Sequence, residues 1–151
     1  MTINFDDLRH RPILDISTAT TIGRVEHLVI DPSDSSVQAL TIGKAQDNAT
    51  VLPWSGINAI GPDAVTVDTP GQLRAPESEL EQRATSGDVD PIGKMVLSDD
   101  GDHHGTLRDL VIDTDLGSIT ELLVGDRTVP GRALMGVGDY AAIIDQDQLG
   151  G

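Results

Sequence analysis

The chain contains no cysteine. Disulfides, thiolate metal sites and cysteine nucleophiles are therefore excluded. Aromatic residues are nearly absent, with one Phe, one Tyr and one Trp in 151 residues. A core must come from Val, Ile, Leu and Ala, and enrichment in β-branched residues favours strands. Lysine occurs only at Lys44 and Lys94. No apolar run nears the roughly 20 residues that a membrane-spanning helix needs. The segment Met1 to Pro12 carries Asp6 and Asp7 and lacks the apolar stretch of a secretory signal. The expectation is a soluble, cytoplasmic protein without membrane insertion.

Acid is what the chain has in excess. It carries 25 Asp and Glu against 10 Lys and Arg, a formal charge of −15. Such a surface repels phosphate backbones, which argues against nucleic acid as a partner. It attracts a basic protein surface or a cation.

The chain is also a tandem repeat. Setting Ile22–Lys44 over His104–Asp126, an offset of 82, gives eight identities in 23 positions. They are Gly23/Gly105, Leu28/Leu110, Val29/Val111, Ile30/Ile112, Asp31/Asp113, Ser36/Ser118, Leu40/Leu122 and Gly43/Gly125. Composition alone gives about one or two. Upstream, the same offset sets Ile13-Leu14 over Met95-Val96. Downstream, an offset of 77 matches Pro53, Gly61, Ala64 and Asp68 to Pro130, Gly138, Ala141 and Asp145. The missing five residues fall in the polar stretch around Gln46, Asp47 and Asn48. An exposed turn is where length changes belong.

Each copy reads as short strands separated by turn signals, the pattern of a sandwich or barrel. The longer strands, Arg24–Asp31 and Thr106–Asp113, do not alternate strictly. One extra residue near Glu26-His27 and Arg108-Asp109 restores alternation, which predicts a β-bulge. The stretches 55–60 and 132–137 are expected to hold one helical turn. His10 and His27 are expected to be solvated. Residues 69–92 have no counterpart inside the repeat and read as a linker. A short helix over Glu77–Ala84 is expected there, with Glu79 and Arg83 spaced i,i+4. The expected domains are 1–68, the 69–92 linker and 93–151. A unit of 55–60 residues buries only about 60% of its unfolded surface, so the copies are expected to pack together or the chain to dimerise.

The run Ile22-Gly23-Arg24-Val25, Leu28-Val29-Ile30-Asp31, Leu52-Pro53-Trp54, then Ile57, Ile60-Gly61 and Asp63-Ala64-Val65 resembles the PRC-barrel domain. That family includes the cytoplasmic part of the photosynthetic reaction centre H subunit and the C-terminal domain of a ribosome maturation factor. The resemblance covers nearly all of both repeats. It implies two tandem, strongly bent β-barrels, each of about five to six short strands, in an all-β chain. It also implies a docking or assembly module without an active site. The copies differ where Gly131 replaces Trp54 and Tyr140 replaces Asp63. Pro53, Trp54 and Tyr140 are accordingly the candidates for partner contact, with a basic protein or a second copy of the chain as partner.

The turn Ser98-Asp99-Asp100-Gly101-Asp102-His103-His104 carries the alternative reading. Asp99, Asp102, His103 and His104 are plausible metal ligands, and a metal- or small-molecule-binding stress protein is the second hypothesis. The calcium-loop pattern lacks its later Glu, and Asp-Gly is itself a hairpin signal, so the turn reading is preferred. Gly136-Val137-Gly138 resembles half of a phosphate loop, but the rest of the pattern does not follow. No nucleophile stands in a recognisable motif, so no catalytic residue and no cofactor are expected.

Overall fold

The computed structural model describes residues 1–43, 49–87 and 90–149. The expected polar turn at Gln46, Asp47 and Asn48 lies outside the described residues. In chain order the elements are β1 (Thr2–Asn4), α1 (Phe5–Leu8), β2 (Pro12–Asp15), β3 (Thr20–Asp31), β4 (Ser36–Gly43), β5 (Val51–Pro53), β6 (Ala59–Ile60), β7 (Val65–Val67) and α2 (Glu79–Ser86), followed by β8 (Met95–Ser98), β9 (His103–Asp113), β10 (Ile119–Val124), β11 (Arg127–Pro130), β12 (Leu134–Val137) and β13 (Ala141–Ile144). One sheet runs β5-β4-β3-β2-β7-β6. The other runs β11-β10-β9-β8-β13-β12, with β1 added on β9. The second order repeats the first strand for strand, as two tandem barrel-like β domains require. No helix among the described residues is long and apolar enough to cross a membrane.

In each repeat one long strand serves two parts of the sheet. The first half of β9 pairs with β8, through Met95↔Thr106 and Leu97↔His103. Its second half pairs with β10, from Leu107 to Ile112. Between Leu123↔Asp109 and Val124↔Leu107 the register slips and Arg108 is passed over. This is the bulge that the broken alternation predicts. It bends the strand and keeps Leu107, Leu110 and Ile112 all in the core. In the first repeat the His27 N–H donates to Thr41 Oγ1 at the matching place, 3.0 Å away. His27 is half-buried against Gly87, whereas solvation was expected. His10 is exposed, as expected.

The stretches expected to be helical divide in two. A 3-10 turn covers Trp54–Gly56 or Gly131–Ala133, and then β6 or β12 begins. Pro53 and Pro130 enter these turns with nearly the same backbone, φ −58° and −59°. The ring fixes that angle, so both copies turn at one place. The upstream match also shifts by one residue. Ile13 pairs with Gly23 and Val96 with Gly105, so Ile13 corresponds to Val96 rather than to Met95.

Helix α2 starts two residues later than expected. The Ser78 hydroxyl accepts the Glu81 N–H at 3.1 Å, and Gly87 closes the other end at φ 87°. Its anchor is an ion pair that i,i+4 spacing does not reveal. Glu81 takes two hydrogen bonds of 2.7 Å from Arg74, which hold its carboxyl down at about 2. That stabilisation is present above the ordinary Glu value and is lost as pH falls through about 2.

The compact units cut across the repeats. Unit 1 comprises Met1–Asp6, Ile30–Val37 and Asp88–Gly151, and unit 2 comprises Asp7–Val29 and Gln38–Gly87. The core of unit 1 holds Phe5, Val96, Leu107, Leu110, Ile112, Leu122 and Ile144, all within 1% of full burial. The core of unit 2 holds Leu8, Ile13, Val25, Leu28, Leu40, Leu52 and Val65, equally buried. Phe5 enters unit 1 because β1 pairs antiparallel with β9, Ile3 opposite Ile112. Asp109, 8% exposed at the bulge, secures that arm. It accepts the Asp6 and Leu110 N–H groups at 3.0 and 2.8 Å and Asn4 Nδ2 at 3.1 Å.

Gly131 sets a steric limit on this frame. A Cβ there would stand 1.8 Å from the Ile119 carbonyl oxygen, whereas one on Gly136 would meet nothing within 4 Å. Gly131→Ala is expected to cost about 3 kcal/mol or more, because backbone has to move. Gly136→Ala is expected to stay within about 0.5 kcal/mol. Urea midpoints of the two variants check the contrast.

Candidate functional site

The 98–104 turn is a tight hairpin. The Ser98 N–H donates to the Asp102 carbonyl at 2.9 Å, the Gly101 N–H to the Ser98 carbonyl at 2.9 Å, and Gly101 sits at φ 93°. Glycine reaches that left-handed angle without a steric penalty. The turn reading of Asp-Gly therefore describes the backbone.

The four ligand candidates do not converge. Asp99 is exposed and accepts the Gln146 N–H at 2.9 Å. Asp102 and His103 are exposed. Only His104 joins a cluster, placing Nε2 3.0 Å from the Ser98 hydroxyl. Ser98 is buried and donates its proton to Asp100. That hydroxyl bond, opposed by burial and aided by the Asp102 N–H, holds the Asp100 carboxyl below the usual range. Among the described residues no three His, Asp or Glu side chains are grouped to hold a metal ion.

The direction of these bonds limits their chemistry. A hydroxyl has one proton, and Ser98 gives it to Asp100. The His104 Nε2 must then donate to Ser98. An activated serine instead gives its proton to histidine.

The first repeat contains the reciprocal arrangement at the same place. Asp15 ends β2 opposite Val67, as Ser98 ends β8 opposite Ile144. Asp15 is 1% exposed, and its carboxylate accepts the Ser17 hydroxyl at 2.6 Å, the Thr18 hydroxyl at 2.9 Å and the Ser17 N–H at 3.0 Å. Carboxylate and hydroxyl have exchanged ends of one turn. Asp15 was not singled out from the sequence, because the match one residue out of step hid its equivalence with Ser98. The first turn is also one residue longer: Asp15 and Thr20 enclose 16–19, whereas Ser98 and Asp102 enclose 99–101.

The partner-contact candidates fall in different units. Pro53 and Trp54 belong to unit 2 and are both half-buried. Tyr140 belongs to unit 1 and is 71% exposed in the turn between β12 and β13. The Gly138 N–H closes that turn on the Ala141 carbonyl at 3.0 Å, as Gly61 closes on Ala64 at 2.9 Å. Tyr140 therefore stands on the same frame as Asp63. Met135, on β12 of the same hairpin, is 51% exposed.

The Ser17 hydroxyl, opposed by burial, leads the Thr18 hydroxyl and Ser17 N–H in holding Asp15 below its ordinary value. Its contribution to stability is present above the ordinary Asp range, near about 3.9, and is lost as pH falls through the folded value. Asp15→Asn is expected to unfold at lower urea than the parent at pH 7, with a smaller gap at pH 2.5. An unchanged gap across that range counts against the assignment.

The family model for the PRC-barrel domain matches residues 1–74 and again 85–146. A search of curated proteins finds no match.

Proposed function

We propose, from the premise that the chain belongs to the PRC-barrel domain family, that it works as a non-catalytic protein-interaction or assembly module. The supporting observation is where the scarce aromatics stand. Phe5 is buried, but Trp54 is only half-buried and Tyr140 is 71% exposed. Unit 1 also leaves Met135 51% and Leu116 75% exposed. Aromatic and methionine side chains are enriched in protein interfaces, and covering one removes apolar area from water at about 25 cal/mol per Å². The charge of −15 directs association toward a basic partner surface. The turn chemistry supports the non-catalytic side of this reading, since Ser98 is buried and donates toward a carboxylate.

Metal or small-molecule binding at the 98–104 turn is the second reading, favoured by His104 and Asp100 meeting at Ser98. Calorimetric titration with zinc, nickel and calcium separates the two, since heat at stoichiometric ion favours a site and silence removes it.

Tyr140→Ala is expected to fold with stability within about 0.5 kcal/mol of the parent. A contact at the centre of an interface typically contributes about 2 kcal/mol or more, which is roughly thirtyfold in affinity. Partner capture from native lysate, quantified across a salt series for the parent, Trp54→Ala and Tyr140→Ala, reads the effect. Loss of capture by folded variants, with release at moderate salt, is expected. Undiminished capture by both variants contradicts the module reading of these surfaces.

A further inference from the structure

Unit 1 is assembled from three separate stretches of chain, and the short ones come from before and inside the first repeat. The tip Ile30–Val37 joins it by a small antiparallel ladder. The Val37 N–H donates to the Gly117 carbonyl at 2.7 Å, and the Ile119 N–H donates to the Ser35 carbonyl at 2.7 Å. Ser36 faces Ser118 between these bonds.

The central pair joins repeat equivalents, and the residues flanking it exchange partners symmetrically. Under the offset of 82, Ser35 corresponds to Gly117, Ser36 to Ser118 and Val37 to Ile119. The two hydrogen bonds therefore exchange under the same operation. The tips share their conformation as well. Ser35 and Gly117 both have positive φ, 52° and 75°. Asp31 and Asp113 each accept the N–H two residues on, at 2.9 Å. This is the pattern of an isologous interface, in which one patch meets its own likeness.

We infer that this ladder is a homotypic docking surface, and that a second copy of the chain can supply the Ile30–Val37 tip in a swapped dimer. Nothing in the two hydrogen bonds depends on both strands belonging to one molecule. Swapping an identical element between copies needs no new contact. This surface is distinct from Trp54 and Tyr140, so it stands or falls apart from the module reading.

The chain has no cysteine, so Ser36→Cys/Ser118→Cys carries a clean reporter. The pair occupies a non-hydrogen-bonded position, where Cα atoms lie about 4.5 Å apart and a disulfide can close. Tethered sites see an effective concentration in the millimolar range, so oxidative refolding at about 1 µM and about 1 mM brackets the competition. The expected result is a cross-linked monomer at the low concentration. At the high concentration the disulfide-linked dimer rises at least tenfold, with peptide mapping giving a 36–118 bond between chains. Monomer alone at both concentrations overturns the swap, and failure of the 36–118 bond to form overturns the ladder. The single variant Ser36→Cys is expected to stay uncross-linked, since its sites lie in separate contacts of a swapped dimer. Equal cross-linking by it shows a tip pairing with itself and also overturns the swap.

Discussion

The far half of β9 needs a partner on each side, and β8 is too short to reach it. β8 pairs with β9 no further than Thr106, while β9 runs on to Asp113. An open edge there would leave a row of backbone donors and acceptors unpaired beside the core. β1 fills that edge opposite Val111, Ile112 and Asp113. The rest of unit 1 follows from this requirement. Phe5 comes into the core with the arm, and Asp109 turns its carboxylate toward the arm's Asp6 N–H and Asn4 side chain. The bulge passes over Arg108, next to Asp109, which stays paired opposite Leu123.

Aspartate has a local task throughout the chain. Asp15, Asp31, Asp90, Asp113 and Asp145 each accept the backbone N–H two residues on, at 2.9 to 3.0 Å. Only a side chain of this length reaches that group from this position, which is why Asx turns use Asp and Asn. The preference for Asp over Glu is thus tied to turn closure in a fold made of short strands. The strong negative charge accompanies that requirement, and it also sets the sign of any partner surface.

Much of the frame was legible in the sequence. Identity between the copies located the strands, and the broken alternation of Leu107, Leu110 and Ile112 located the bulge. These signals are local or repeat-bound. What the sequence hid was long-range or out of step. Nothing in Met1–Asn4 announces that it pairs with residues about 110 positions away. The equivalence of Asp15 with Ser98 needed strand register, because one residue is lost between Ile13 and Gly23 on passing to the second copy. Nor does the repeat carry any signal that 1–6 and 30–37 pack with residues 88–151. For the candidate site, the four residues read as ligands were chosen by type. Backbone bonds of the hairpin then decided where each one points.

That the compact units cut across the repeats is tested most directly by native-state hydrogen exchange in rising denaturant. The amides of Asp6 and Val37 are the reporters, with Leu107, which donates to the Lys94 carbonyl, for unit 1 and Ile42 for unit 2. Asp6 and Val37 are predicted to open together with Leu107, at the same free energy and the same denaturant dependence. Opening of Val37 together with Ile42, at a step separate from Leu107, would show that the repeats fold within their own boundaries and would contradict this assignment.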